Sequence, residues 1–485
     1  MSESPLDPDV EEFRRAGYQA VDWIAEYFEG IRDLRVLSNV EPGEIAARFA
    51  SVAPEQGRSL DALLEDFREK VLPGVTHWNH PRFFAYFAIT GSQAGILGEL
   101  LSAALNVNGM LWRTSPSATE MEQVTIEWLR ALLGLPEGLF GIINDTASIN
   151  SFLALAAARE ALGLEIREKG MSGRNLPPLR VYCSDQAHSS IDKAALALGF
   201  GMEGVRRIES DASYRMRPDR LAEAIEEDRS NGARPCAIVA TLGTTSTASI
   251  DPLPEIGAMA RAEGVWLHVD AAYGGPAMML EEQSGLRGGL EFADSIVVNP
   301  HKWLFTPVDC SVLYTRRPDL LRQTFSLIHD YLQTTEEVVN FMDYGLQLGR
   351  RFRAIKLWMV LEHYGATRLR KRVREHIGYA ARLAEEIDSM EGVDLLAPRS
   401  LSVTVFRRIV RDGKGNVDEE KSERASVALL ETINGSGRCY VSHTRLRGRY
   451  GIRVAIGNGM TLWEDVDQLL EMIRADVRDG SVSVT

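Results

Sequence analysis

The residues best suited to act together chemically are an aspartate and a lysine that follow two consecutive apolar segments. Asp270 comes directly after the strand-like segment 265–269, and Lys302 lies on the turn after the strand-like segment 295–298. Burying a lysine beside a carboxylate costs free energy. A chemical role for the pair would explain why the protein keeps it there. Because Schiff-base formation is the main covalent chemistry of an activated lysine, the pair indicates that Lys302 carries the aldehyde of pyridoxal phosphate (PLP).

Asp270 suits a second requirement of that cofactor. PLP draws electrons from its substrate only while its ring nitrogen stays protonated, and a neighbouring carboxylate keeps it so. The small residues Ala271 and Ala272 would let a planar ring approach Asp270. A surface lysine and a helix-capping aspartate are the ordinary alternatives. The occurrence of both residues after consecutive buried strands favours the functional interpretation.

Further polar residues follow strand-like segments and could complete such a site. His188 could stack on the cofactor ring, although a lone histidine is more often a surface or capping residue. Thr245 ends another strand and could contact the ring or its phosphate, while Asn299 and His301 flank Lys302. Ligands of α/β sheets bind at the carboxyl ends of the strands, where all of these residues are expected.

A phosphate site is predicted ahead of a helix in the first half of the chain. Thr146, Ala147 and Ser148 precede a helical pattern that we expect to start near Ile149. Free backbone N–H groups and the helix dipole make such an N-terminus suitable for an anion, and the two hydroxyl groups add donors. A hydroxyl cap without a ligand is the plain alternative.

The composition narrows the class of protein. The chain has 485 residues with 45% apolar and 25% charged, and its net charge is −14, so no broad basic surface for nucleic acid is visible. The cysteines stand far apart, which predicts neither a zinc site nor a disulfide framework; they are Cys183, Cys236, Cys310 and Cys439. No apolar stretch has the length of a membrane span, and the acidic N-terminus lacks a signal-peptide pattern. We therefore expect a cytoplasmic enzyme without a bound metal.

The elements that must position these residues follow from hydrophobic periodicity. Apolar residues recur at helical spacing near the N-terminus, which predicts a helical segment over 1–80. Its apolar faces must pack on the main domain or on a partner subunit. Strand, turn and helix then alternate, which indicates a mostly parallel α/β sheet in a large domain over 81–365. A long helix over 349–364 leads to a small α+β domain over 366–485.

Four motifs in this order resemble the group II PLP-dependent decarboxylases, the family of aromatic-L-amino-acid decarboxylase. They are Asp185-Gln-Ala-His-Ser-Ser190, Ala240-Thr-Leu-Gly-Thr-Thr245, His268-Val-Asp-Ala-Ala-Tyr273 and Asn299-Pro-His-Lys-Trp303. Weaker matches are Pro73-Gly-Val-Thr-His-Trp78, Phe83-Phe-Ala-Tyr-Phe87, Ser115-Pro-Ser-Ala-Thr-Glu120 and Leu348-Gly-Arg-Arg-Phe-Arg353. The resemblance covers about residues 7–473, and the motifs are specific as a set although each alone is weak.

The resemblance implies a PLP enzyme of fold type I with a seven-stranded, mostly parallel sheet. It also implies an intertwined homodimer whose active site lies at the subunit interface. Carried onto this sequence, Lys302 is the Schiff-base lysine, Asp270 the partner of the ring nitrogen and His188 the stacking residue. Tyr331 matches the mobile-loop tyrosine that helps return a proton. The implied cofactor-binding residues also include Thr146, Ala147, Ser148, Thr245, Ala272, Asn299 and His301.

The amino acid that this site accepts is predicted less directly. Trp78, Tyr86 and Phe87 supply aromatic surface that could line a pocket for an aromatic side chain, or could simply be core. The substrate pocket that we predict also includes Ile89, Asn108 and Met110. At these three positions and at Arg113, the residue differs from the one that is common in the animal aromatic decarboxylases. The leading prediction is therefore decarboxylation of an aromatic L-amino acid.

Several alternatives stay open at this point. An acidic or imidazole substrate would suit a more polar pocket. Transamination, desulfuration and aldehyde synthesis are other reactions of fold type I enzymes, and a PLP-binding protein without turnover is a third class. Tyr331 argues against aldehyde synthesis, because relatives with phenylalanine there tend towards it.

Overall fold

A seven-stranded sheet forms the centre of the computed structural model, which describes residues 10–327 and 338–482. Its strands are β1 (Phe140–Asn144), β2 (Leu179–Ser184), β3 (Val205–Ile208), β4 (Arg234–Thr241), β5 (Trp266–Asp270), β6 (Ser295–Val298) and β7 (Ser311–Thr315). The spatial order is β1-β7-β6-β5-β4-β2-β3. Strand β7 is antiparallel to both of its neighbours, and the other pairs are parallel. The predicted mostly parallel seven-stranded sheet is confirmed.

The N-terminal part consists of helices that contact the rest of the chain. Helix α1 (Val10–Gly30) and helix α2 (Leu60–Asp66) lie here, with a short π-helical turn after α2. Tyr27 of α1 hydrogen-bonds His77 at 3.0 Å. Val10, Phe13, Tyr18 and Val21 of α1 are exposed to solvent in the isolated chain. The helix therefore has an apolar face that its own chain does not cover.

Helices cover both faces of the large sheet. They are α3 (Gln93–Leu105), α4 (Pro116–Leu133), α5 (Ala147–Glu160), α6 (Ile166–Lys169), α7 (Ser190–Ala197), α8 (Pro218–Ser230), α9 (Leu253–Glu263), α10 (Pro300–Trp303) and α11 (Pro318–Phe325). Successive residues of a strand point to opposite faces. Leu267 and Val269 of β5 accordingly belong to one apolar cluster, whereas Trp266 belongs to the cluster on the other face.

A long helix connects the two sheets. Helix α12 (Ala354–Asp388) is broken at Gly365, which has a left-handed φ of 66°. The predicted start of this helix, 349, was wrong, whereas its predicted end, 364, coincides with the break at Gly365. The helix starts later because the backbone of Arg350 pairs with the loop at Asn108 and Gly109 instead of with a helical turn. Beyond Gly365, whose backbone is not helical, a second helical segment continues to Asp388.

The C-terminal part is a small antiparallel sheet with two helices. Its strands are β8 (Val393–Leu395), β9 (Val403–Arg408), β10 (Ser442–Leu446) and β11 (Arg449–Ala455), in the order β10-β11-β9-β8, and its helices are α13 (Glu419–Gly435) and α14 (Trp463–Val482). Backbone bonds tie Phe84 to Tyr440 (2.8 Å) and to Ala455 (2.9 Å), so this sheet is fixed to the segment before α3. The domain boundaries at 80 and 365 remain predictions.

Three further properties bear on the class of protein. Over residues 10–327 and 338–482, no helix is long and apolar enough to cross a membrane. The same part of the chain holds no group of histidine, cysteine and acidic residues able to bind a metal ion. All four cysteines are buried free thiols.

Candidate active site

The carboxyl ends of three neighbouring strands bring the predicted residues together. Asp270, the last residue of β5, is in register with Thr241 of β4 and Val297 of β6. The turn after β4 carries Thr245, and helix α10 after β6 carries Lys302. Because parallel strands end at the same edge of a sheet, residues far apart in the sequence meet here.

Lys302 is held where a charged amine is disfavoured. Its side chain is half-buried, and Nζ lies 5.1 Å from the centre of the Phe87 ring. Burial lowers the pKa of Lys302, the positive charge of Arg453 lowers it further, and the carboxylate of Asp270 opposes both effects. A lysine whose neutral form is favoured in this way is a nucleophile towards an aldehyde.

Asp270 is buried, with an exposed fraction of 7%. Its Oδ1 accepts a hydrogen bond from the backbone N–H of Ala272 at 3.0 Å, which fixes the carboxylate at the strand end. Two residues before it on β5, His268 is buried and contacts the hydroxyls of Ser151 (3.2 Å) and Ser295 (2.9 Å). Burial lowers the pKa of His268 to about 4, so this imidazole is a neutral packing residue.

Arg453 is a site residue that sequence reasoning missed. It lies on β11 of the small sheet, is buried, and its guanidinium carbon is 4.5 Å from the centre of the Phe87 ring. Its Nε donates to the carbonyl oxygens of Thr245 (3.0 Å) and Ser246 (3.1 Å), and its Nη1 donates to that of Tyr86. Its Nη2 is buried without a hydrogen-bond partner in the part of the chain that the structure describes.

An unpaired donor on a buried cation is costly, so Nη2 is available for an anion. Burial lowers the pKa of Arg453 to about 10, which still leaves the guanidinium charged at neutral pH. Arginine on an amphipathic strand is commonplace, and the sequence places Arg453 far from Lys302. Only the packing of the small sheet on the large domain reveals its position.

A column of parallel aromatic rings supports this part of the site. Phe87 stacks on Tyr273 with ring centres 3.7 Å apart, and Tyr273 stacks on Trp303 at 4.9 Å. The indole N–H of Trp303 donates to Nδ1 of His376 at 2.9 Å. The Phe87 ring thus contacts Tyr273 and lies near both cations, Lys302 and Arg453.

His188 stands at the start of α7, next to the same strand end. It is exposed in the isolated chain, and its ring nitrogen Nδ1 contacts the backbone N–H of Ser190 at 3.1 Å. Partial burial lowers the pKa of His188, and the charge of Lys302 lowers it further while that of Asp270 raises it. The charges of both residues therefore act on the His188 ring, and its stacking on the cofactor stays a prediction.

The predicted phosphate site is a helix N-terminus. Helix α5 begins at Ala147 rather than near Ile149, because Thr146 caps it by accepting a bond from the Ile149 N–H at 3.4 Å. The N–H groups of Ala147 and Ser148 therefore lie in the first turn, where no intrahelical acceptor exists. Thr146 and Ser148 are exposed and able to reach a ligand.

Asn299 and His301 are buried residues of a hydrogen-bond chain that reaches α5. Ser311 Oγ contacts Asn299 Oδ1 at 2.5 Å and accepts from Asn150 Nδ2 at 2.7 Å. Asn299 also contacts Nε2 of His301 (3.2 Å), whose Nδ1 accepts from the Cys310 N–H at 2.9 Å. This chain connects the lysine-bearing turn with the first turn of α5.

The predicted substrate-pocket residues fall into separate places. Phe87 lies at the site. Trp78 and Tyr86 stack on each other with ring centres 5.8 Å apart, and Tyr86 is exposed. Ile89 is half-buried further along the same segment.

A second group of predicted pocket residues lies near the loop between β1 and α5, where the phosphate site is predicted. Asn108 Oδ1 accepts from the Arg350 N–H at 2.9 Å, and Met110 lies two residues on. The guanidinium of Arg350 bonds the carbonyl of Ile143, just before that loop. Arg113 is exposed. Tyr331 falls outside the described residues, so its predicted role stays a prediction.

The side chains fit PLP by the chemistry of their functional groups. A lysine whose neutral form is favoured can hold an aldehyde, a buried carboxylate can hold a protonated ring nitrogen, and the start of α5 can hold a phosphate. Lys302 and Asp270 interact electrostatically, and the hydrogen-bond chain from Asn299, on the turn that carries Lys302, ends at Asn150 in the first turn of α5.

Comparisons with known proteins agree with this chemistry. Residues 42–409 match the pyridoxal-dependent decarboxylase conserved domain. The chain is 39% identical to tyrosine decarboxylase 4 of Petroselinum crispum over 95% of its length and 92% of the relative. It is 38% identical to phenylacetaldehyde synthase of Arabidopsis thaliana over 96% of both chains. It also resembles the crystal structure of Oryza sativa TDC with PLP and tryptamine, with a TM-score of 0.93, 34% identity and 99% of both chains covered.

Proposed function

Because the chain belongs to the pyridoxal-dependent decarboxylase family, we propose that it decarboxylates an aromatic L-amino acid to the amine and carbon dioxide. The observation that carries this proposal is Lys302 on the turn after β6, interacting with Asp270 and Arg453 and lying over the Phe87 ring. Relatives named for tyrosine and a structure that holds tryptamine support the aromatic class.

Each residue of the site has a distinct task in this proposal. When bound, PLP supplies an electron sink for the electron pair of the carbon–carbon bond that breaks when carbon dioxide leaves. Lys302 holds the cofactor through its amine, and Asp270 holds a proton at the ring nitrogen. The first turn of α5, from Thr146 to Ser148, binds the phosphate together with Asn299.

Arg453 orients the substrate. Its free Nη2 donates to the α-carboxylate, while its other donors hold the turn that carries Thr245. This contact would hold the carboxylate so that the bond to be broken stands perpendicular to the cofactor ring. Such orientation increases the rate of bond cleavage. Phe87 offers the aromatic surface next to Lys302, and Trp78, Tyr86, Ile89, Asn108 and Met110 complete the proposed pocket.

Return of a proton to the substrate carbon is assigned to Tyr331. This role rests on the match of the segment with the family motif.

A homodimer is part of the proposal. Four leucines of α3 are exposed in the isolated chain, as is the apolar face of α1; they are Leu97, Leu100, Leu101 and Leu105. Apolar surface of this extent is typical of a protein interface. Thr146, Ser148, His188 and Thr245 are exposed as well, so the site is open where a second copy would cover it. The free buried thiols suit a reducing compartment, and we place the enzyme in the cytoplasm.

A second candidate reaction is oxidation of the same substrate by dioxygen and water to an aldehyde, with release of carbon dioxide, ammonia and hydrogen peroxide. The similarity to a phenylacetaldehyde synthase favours it, and the tyrosine at position 331 argues against it.

The test is incubation of the PLP-loaded enzyme with L-tryptophan, L-tyrosine, L-phenylalanine, L-glutamate and L-histidine. We expect carbon dioxide and amine in equal amounts from at least one aromatic substrate. Aldehyde with ammonia and hydrogen peroxide would identify the second reaction instead. Amine from glutamate or histidine alone would overturn the aromatic assignment, and no amine at all would overturn the proposal.

A further inference from the structure

His188 is held by its neighbour Ser190 at one edge of the imidazole ring. The backbone N–H of Ser190 lies 3.1 Å from Nδ1, and the Ser190 hydroxyl lies 2.9 Å from the same atom. A backbone N–H can only donate, so Nδ1 must be an acceptor and carries no proton. The hydroxyl, which can donate or accept, then donates to the same lone pair.

We propose that Ser190 is a positioning residue that keeps His188 as the neutral imidazole with its single proton on Nε2. Protonating Nδ1 would break the bond from the Ser190 backbone N–H and set two N–H donors against each other, and the hydroxyl would have to reverse from donor to acceptor. The inference rests on the proposed function for its catalytic meaning, because a neutral ring can stack on a positively charged pyridine ring without charge repulsion.

The charges around the ring are mixed, so they do not settle its state alone. Lys302 on α10 and Lys193 on α7 disfavour the imidazolium, whereas Asp270 on β5 and Asp192 on α7 favour it. Partial burial of the ring also disfavours the imidazolium and is the largest of these effects on the His188 pKa. The two bonds to Ser190, which is itself buried with 3% exposed, supply the geometric constraint.

The assignment limits what His188 can do in the reaction. A neutral imidazole with its proton on Nε2 donates a hydrogen bond, but giving that proton away would create an unstable anion. His188 therefore orients and stacks, and it does not return the proton to the substrate carbon. The proton donor must be another group, which agrees with the role proposed for Tyr331.

The experiment measures the pKa of His188 by hydrogen–deuterium exchange at the imidazole C2 position, followed by peptide mass spectrometry. It uses the full chain, with and without PLP, and does not depend on activity. The variants are Ser190→Ala, which removes the hydroxyl, and Ser190→Thr, which keeps it. Ser189→Ala is the matched control, because the Ser189 side chain makes no capping bond to α7.

We expect the wild-type pKa of His188 to lie below that of free histidine. It should shift upward in Ser190→Ala and return in Ser190→Thr, with Ser189→Ala like the wild type. The PLP affinity of Ser190→Ala should then fall more steeply than that of the wild type as pH is lowered, because the imidazolium would oppose the pyridinium.

An unchanged pKa in Ser190→Ala would overturn the inference, as would a wild-type His188 that titrates at or above the value of free histidine. Neither result depends on which amino acid the enzyme accepts. A chain that makes no amine but shows the predicted shifts would refute the proposed function alone.

Discussion

Replacing Arg453 by methionine tests the proposed substrate contact. The guanidinium is buried, and three of its contacts are to the carbonyl oxygens of Thr245, Ser246 and Tyr86. Nη2 remains for the substrate. Methionine fills most of the same space without charge and adapts to irregular surroundings, so we expect Arg453→Met to fold.

The magnitude follows from the bonds that are lost. A hydrogen bond to a charged group contributes about 1.5–3 kcal/mol, which corresponds to a loss of about 10- to 150-fold in kcat/KM. If the carboxylate contact is equally strong before and during bond cleavage, the loss will appear in KM. PLP affinity should fall less, since the phosphate contacts do not involve Arg453 and Arg453 acts on Lys302 through its charge alone.

The assay is steady-state amine formation, with PLP affinity measured separately by titration of the apo-protein. Arg445→Met is the matched control, because Arg445 lies on the neighbouring strand β10, exposed and paired with Glu423. The control should keep the wild-type kcat/KM. A kcat/KM in Arg453→Met equal to that of the control would refute the assignment of the carboxylate contact.

Three other perturbations have defined outcomes. Lys302 must be neutral to attack the aldehyde of PLP, so cofactor incorporation should speed up with pH through a midpoint below the ordinary lysine pKa. Asp270 raises that pKa, so Asp270→Asn should move the midpoint down; an upward shift would contradict the electrostatics. Arg350→Met leaves the buried carboxylate of Glu122 without its cation. We expect the free energy of unfolding, measured with denaturant, to fall by about 3–5 kcal/mol. A loss below about 1 kcal/mol, as for an ion pair on the surface, would contradict this expectation. Leu101→Asp on the exposed face of α3 should yield monomers in sedimentation, and a dimer that persists would exclude that face as the interface.

The positions of Asp270 and Lys302 at neighbouring strand ends could be predicted because their signals are local. Asp270 and Lys302 each follow a short apolar strand, and strand ends of a parallel sheet converge whatever the details of packing. The start of α5 was predictable for the same reason, although the cap at Thr146 set it two residues earlier than the apolar pattern indicated.

Residues that depend on packing between the two sheets could not be predicted. Arg453 reaches Thr245 only because the small sheet is fixed to the segment at Phe84, and no periodicity in the sequence encodes that contact. The start of α12 was missed because Arg350 bonds the distant loop at Asn108. The pattern of apolar and polar side chains shows which face of a single helix or strand is buried. It does not show which two elements come into contact, and these contacts join different elements.

The central claim is that Lys302 carries PLP, and reduction with borohydride followed by peptide mass spectrometry tests it most directly. The account predicts a pyridoxyl group on Lys302 in the PLP-loaded enzyme, and loss of that label when an aromatic substrate is added before reduction. Lys356 is a useful contrast, because it is also buried but paired with Glu99. A label on Lys356 or any other lysine, with Lys302 unmodified, would contradict the account.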